Sequence, residues 1–169
     1  MMREDAIIIL NEREPRKAAV AGELQERLTA LGITASRLVP DSNTVEIIAA
    51  RAPLVVVTDY LLENFGTGID LVQALTANPA PQSSVIFLTE EASVSVAVEA
   101  MRLGARDFLC LDAPMVLDRA ARAVVDLVSS AALSRHAPPK TSPVLLNDLV
   151  FCAPRSVSLK SSVQAFAQR

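Results

Sequence analysis

Short apolar runs rich in β-branched residues alternate along the chain with segments of helical periodicity, and this alternation limits the fold more than any other feature. The first run, Ala6-Ile7-Ile8-Ile9-Leu10, is apolar at every position. A strand of that kind is covered on both faces, which requires a parallel sheet with helices packed on either side. The segment after it opens at Pro15, places Val20, Leu24, Leu28 and Leu31 on one face and stops at Gly32. A weaker strand over Ile33 to Val39 ends at Pro40. Asp41, Ser42 or Asn43 can then cap a helix holding Val45, Ile48 and Ala49.

The pattern repeats three more times. Leu54-Val55-Val56-Val57 ends in Thr58-Asp59, and a loop with Gly66 and Gly68 leads to a helix bearing Leu71, Val72 and Leu75, closed by Asn78-Pro79. Val85-Ile86-Phe87-Leu88 ends in Thr89, Ser93 can cap the next helix, and a stripe of Val94, Ala97, Val98 and Met101 runs to a stop at Gly104. The fifth strand is Phe108-Leu109-Cys110-Leu111, and Pro114 opens a last helix with Leu117, Ala121, Val124, Val125 and Val128. The 169 residues thus divide into a core domain over residues 1–133, a Pro/Ser linker over 134–143 and an extension over 144–169 that is too short to bury a core of its own. That extension reads as the start of, or connection to, a further module.

Composition narrows the classes of function. Hydrophobic residues make up 51% of the chain and aromatics only 4%, so the interior is aliphatic and general disorder is excluded. A net charge of −3 with no Lys/Arg stripe argues against direct nucleic-acid binding, which needs a basic face to neutralise phosphates. The acidic N-terminus is unlike a signal peptide and no apolar run reaches membrane-spanning length, so a cytoplasmic protein with no membrane contact is expected. Cys110 and Cys152 lack CxxC spacing and His136 is the single histidine, which supports neither a zinc site nor a disulfide framework.

In an open parallel sheet, chemistry gathers outside the carboxyl ends of the strands. Those ends supply Asn11 and Glu12 after the first strand, Asp59 after the third, Thr89 after the fourth and Leu111-Asp112 after the fifth. Carboxylates and a hydroxyl meeting there could hold a hard divalent cation through oxygen ligands, or present a carboxylate as a nucleophile toward a phosphoryl group. No nucleophilic Ser, His or Cys, GxGxxG or P-loop lies at these ends, which counts against an enzyme acting on a small molecule. Taken one by one, Asp59 would cap a turn, Thr89 would suit a strand, Phe108 would fill the core, and Glu12 and Glu14 would favour the positive end of a helix.

Together these residues resemble a known family. Leu54 to Leu62, Gly68-Ile69-Asp70-Leu71, Val85 to Thr89 and Ala97 to Leu109, in this order and spacing, are similar to a response-regulator receiver domain across residues 5–133. The fourth helix most resembles nitrogen-regulator receivers, which precede a sigma54-activating ATPase and a DNA-binding domain. The resemblance implies a flavodoxin-like, doubly wound five-stranded sheet of order 2-1-3-4-5. It implies Asp59 as phosphoacceptor, Thr89 as the hydroxyl contacting the phosphoryl group and Phe108 as the aromatic that changes rotamer during relay. Mg²⁺ held by Glu12 and Asp59, with Asn11 as a further candidate, a sensor histidine kinase as donor and an output module as partner are also implied. Homodimerisation would use the face formed by the fourth helix, fifth strand and fifth helix.

Two positions depart from the family pattern. Its lysine at the end of the fifth strand is Leu111 here, followed by Asp112. Its acid pair after the first strand is Asn11-Glu12 if anchored on the strand, or Glu12-Arg13 if anchored on Pro15, and either way one acid is missing. The loop after Asp59 is one residue longer than usual and has Glu63 where proline is common. Two readings stay open: a phosphoacceptor with weakened Mg²⁺ affinity, and a pseudo-receiver that works as an interaction or dimerisation module with Asp59 unphosphorylated.

Overall fold

A computed structural model describes residues 4–78, 83–91 and 93–134 of the chain. The expected linker beyond Ser134, which itself ends the last helix, and the extension lie outside the described residues, as do Pro79, His136 and Cys152. In chain order the elements are β1 (Ala6–Ile9), α1 (Pro15–Ala30), β2 (Ala35–Arg37), α2 (Thr44–Arg51), β3 (Val55–Thr58), β4 (Leu61–Leu62), β5 (Gly66–Thr67), α3 (Gly68–Ala77), β6 (Ser84–Thr89), α4 (Val94–Arg102), β7 (Asp107–Cys110) and α5 (Val116–Ser134).

Five strands pair in parallel in the order β2-β1-β3-β6-β7, while β4 and β5 form a small antiparallel hairpin. Counted among the five alone, the order is the expected 2-1-3-4-5. The register sets Ile8 beside Val57, Val57 beside Ile86 and Leu88 beside Leu109. Because side chains alternate across a strand, that register sorts the apolar residues onto two faces. Ile8, Val57, Ile86, Leu88 and Leu109 pack with Leu24 and Leu28 of α1 and Ala120 and Val124 of α5. Ile7, Ile9, Val56 and Phe87 face the other way, onto Ile48 of α2, Leu71 and Val72 of α3 and Ala97 and Ala100 of α4. Full burial of each such aliphatic side chain contributes about 1.5–3 kcal/mol.

Helix boundaries follow local chemistry. Gly32 at φ +77° and Gly104 at φ +102° occupy the left-handed region just past α1 and α4, where Ile33 N–H donates to Leu28 and Ala105 N–H to Ala100. Ser93 caps α4 by accepting from Val96 N–H at 3.3 Å. Before α2, Asn43 is the cap position without a side-chain cap bond. Asp41 instead stabilises the turn by accepting from Asn43 N–H, and Thr44 Oγ1 accepts from Asp41 N–H.

Two expectations need correction. The last helix begins at Val116 rather than Pro114, because Met115 sits at φ +54° and cannot belong to a right-handed helix. On α4 the buried face is Ala97 and Ala100, while Val98 is 38% exposed; the small alanines let the helix lie close to the sheet and turn Val98 outward. Cys110 is buried in β7. Among the described residues no helix is long and apolar enough to cross a membrane.

Candidate functional site

All five sheet strands run the same way, so their carboxyl ends share one edge. Between β1 and β3 the following helices leave toward opposite faces, α1 to one and α3 to the other, which opens a crevice at that point. Asp59, one residue past β3, lies in the crevice with only 1% of its surface exposed. Its backbone N–H donates to Ile9 at 3.0 Å and continues the β1–β3 ladder, and its Oδ1 accepts from Tyr60 N–H at 2.7 Å. The chain behind it is held close: Gly68 N–H donates to Tyr60 at 2.7 Å. A Cβ at Gly68 would lie 2.4 Å from the Asp59 carbonyl oxygen and 2.6 Å from the Phe87 ring. Only glycine permits that approach, which accounts for Gly68 at the start of α3.

The remaining carboxylate oxygen faces a cation that the sequence reading did not single out. Lys17, in the first turn of α1, is 5% exposed and places Nζ 2.8 Å from Asp59 Oδ2. No described group gives Oδ2 a hydrogen bond of good geometry, so the contact with the ammonium is an ion pair rather than a directional bond. Nζ also donates to Glu14 Oε1 at 3.1 Å. Burial disfavours the charge on Lys17, yet Asp59, and after it Glu14, outweigh that cost and hold its pKa above the usual lysine value. A sequence signal for this residue existed. Arg16 and Lys17 both stand in the first turn of α1, where the helix dipole disfavours positive charge, so each needs acidic partners from elsewhere in the fold. Arg16 finds Glu90 at 2.7 Å and Asp112 at 2.6 Å, beyond the ends of β6 and β7.

The expected site residues divide into those at the crevice and those turned from it. Thr89 ends β6, next to β3, and is 1% exposed, with Oγ1 accepting from Glu91 N–H at 3.1 Å. Phe108 is 3% exposed and points inward, its ring stacked on Phe87 with centroids 5.4 Å apart. Asn11 is buried at the end of β1, but its side-chain amide donates to Glu14 and Glu63 and its Oδ1 accepts from Arg13 N–H. Glu12 turns to Arg37, 3.5 Å away, and Arg13 pairs with Glu63 at 3.1 Å. Glu63, in the turn between β4 and β5, thereby ties that hairpin to the β1 end. Leu111 is 6% exposed and packs into the α1–α5 face of the core, so its side chain does not reach toward Asp59.

A divalent cation here would need several oxygen ligands converging on one point. Glu12 is drawn off to Arg37, Asn11 is held by Glu14 and Glu63, and Asp59 already faces an ammonium. Among the described residues no group of three or more His, Cys, Asp or Glu side chains is placed to hold a metal ion. The residues present do not fit Mg²⁺.

Comparison with known proteins bears on the family. Residues 17–113 match the response regulator receiver domain. The regulatory protein LuxO of Vibrio cholerae serotype O1 is 35% identical over 92 residues, covering 54% of this chain and 20% of that protein. The photosynthetic apparatus regulatory protein RegA of Rhodovulum sulfidophilum is 28% identical over 106 residues, covering 63% of this chain and 55% of RegA. The chain therefore spans about a fifth of the length of the LuxO it matches. Among solved structures, the signal receiver domain of a LuxO repressor protein from Vibrio parahaemolyticus superposes with a TM-score of 0.66 at 21% identity, covering 78% of this chain and 95% of that one. The beryllofluoride-activated NtrC4 receiver domain dimer gives 0.61 at 22% identity, covering 74% and 97%. These likenesses carry the doubly wound fold, and since the matched stretch opens at Lys17 and runs past Asp59, Thr89 and Phe108, the chain belongs to the response regulator receiver domain family.

Proposed function

We propose that the chain is the receiver of a two-component response regulator and that Asp59 is its phosphoacceptor. One observation carries this: a buried carboxylate at the β1/β3 crevice, beside the strand that ends in Thr89, in a fold where Phe108 stacks inward on Phe87. In the transfer, a carboxylate oxygen of Asp59 attacks the phosphorus of a sensor kinase's phosphohistidine. The P–N bond breaks, its electron pair stays on the imidazole, and the ring nitrogen takes up a proton. The acyl phosphate then carries extra negative charge that recruits the Thr89 hydroxyl from Glu91, and the space vacated lets Phe108 change rotamer. A local charge event thereby biases the surface made by α4, β7 and α5 between two states.

Residues 1–133 act as the receiver, 134–143 as a linker and 144–169 as the connection to an output module, with transcription the output class. The protein works in the cytoplasm, without direct nucleic-acid contact by this domain. Its partners are a sensor histidine kinase, the output module and a second copy joined through the α4–β7–α5 face, where Val98 is exposed. The domain acts as a phosphoacceptor and not as an enzyme on other substrates.

Incubation with a small phosphodonor followed by intact mass tests the assignment. A gain of one phosphoryl group in the wild type, absent from Asp59→Asn, is expected. No gain in the wild type, or the same gain in the variant, refutes it. The pseudo-receiver reading has its own support in the Lys17–Asp59 pair and the core-packed Leu111. Under that reading the α4–β7–α5 face would bind its partner equally well in the wild type and in Asp59→Asn.

A further inference from the structure

We propose that Lys17 is the resident cation of the acceptor pocket, taking the place of a divalent metal and of the strand-end lysine, so that the resting site is charge-compensated from within and recruits no Mg²⁺. Three observations converge on it. Lys17 is almost wholly buried, a state lysine adopts when paired. Its position in the first turn of α1 is electrostatically unfavourable for a cation, so local helix preference does not explain it. Its ammonium lies 2.8 Å from the one Asp59 oxygen that lacks a hydrogen bond, while the acids that could have completed a metal shell are committed elsewhere: Glu12 to Arg37, Glu63 to Arg13 and Asn11, Glu14 to Lys17 itself and Asn11.

Removing a single partner of such a pair leaves a buried charge uncompensated, which is far costlier than removing both. Arg16 strengthens the arrangement from the neighbouring position by linking the loops after β6 and β7 through Glu90 and Asp112. The pair exists in the resting carboxylate, so it holds for a working phosphoacceptor and for a pseudo-receiver alike.

Two measurements on the full chain decide it. Titration of the wild type with MgCl₂ and MnCl₂ by calorimetry is expected to show no binding that Asp59→Asn abolishes. Thermal unfolding of Lys17→Gln is expected to drop by about 10 °C or more, with most of the loss recovered in the Lys17→Gln/Asp59→Asn double variant. Should the single variant fail to fold, folding restored in the double variant supports the pair. Millimolar metal binding lost in Asp59→Asn overturns the proposal, as do stability losses of the two single variants that simply add, or a double variant that also fails to fold.

Discussion

At Leu111 a single substitution relative to the family pattern has two consequences. The site loses a cation from the end of the fifth strand, and the side chain instead joins the core between the sheet and α1 and α5. Placing a lysine at 111 therefore sacrifices aliphatic burial: Leu111→Lys is expected to lower stability by about 2 kcal/mol or more, measured by denaturant unfolding. A variant as stable as the wild type would show that the position can open toward the crevice. The pairing of Lys17 with Asp59 could not be read from residue types, because a cation in the first turn of a helix signals a need for acid without saying which acid meets it. Its partner lies 42 positions away (59 − 17) and meets it only when β1 and β3 pair. Asp59 and Thr89 were legible as candidates from their positions at strand ends, and Phe108 only through the family resemblance. The direction taken by Glu12 was not, since its turn to Arg37 depends on where β2 lies beside β1.

Among the elements, α3 is the one whose start bears most directly on the site. Thr67 caps it, accepting from Asp70 N–H, while Asp70 Oδ2 accepts from Thr67 N–H at 2.8 Å and from Thr67 Oγ1 at 2.7 Å. The side-chain hydroxyl of Thr67, followed by its backbone N–H, holds the Asp70 carboxyl below its ordinary pKa. A depressed carboxyl contributes stability above its unfolded pKa and loses it as pH falls through the folded one, so the box weakens in acid. Thr67→Ala is expected to cost about 1 kcal/mol near neutral pH, with the difference from wild type shrinking as Asp70 protonates. Paired denaturant curves at neutral and acidic pH check this, and an undiminished difference in acid would contradict it. Elements with strong caps or glycine stops had legible ends, whereas α5 was misplaced by two residues because nothing in Ala113-Pro114-Met115 announces the left-handed turn at Met115.

For the whole molecule, both apolar faces share one sheet, so neither can lose its packing alone. Leu24→Ala beneath α1 and Leu71→Ala beneath α3 are each expected to cost about 2–5 kcal/mol and to lower one common transition. Two separate transitions by circular dichroism in either variant would show that the faces unfold independently. The sequence by itself determined the alternation of strands and helices, the two-sided burial of the sheet and the candidates at its carboxyl edge, because those depend on side-chain periodicity and local turn chemistry. Only the tertiary structure decided which charges meet. Asp59 faces Lys17, Glu12 faces Arg37 and Leu111 sits in the core, since ion pairs form between groups that strand order and helix crossing bring within a few ångströms, and sequence separation does not record that distance.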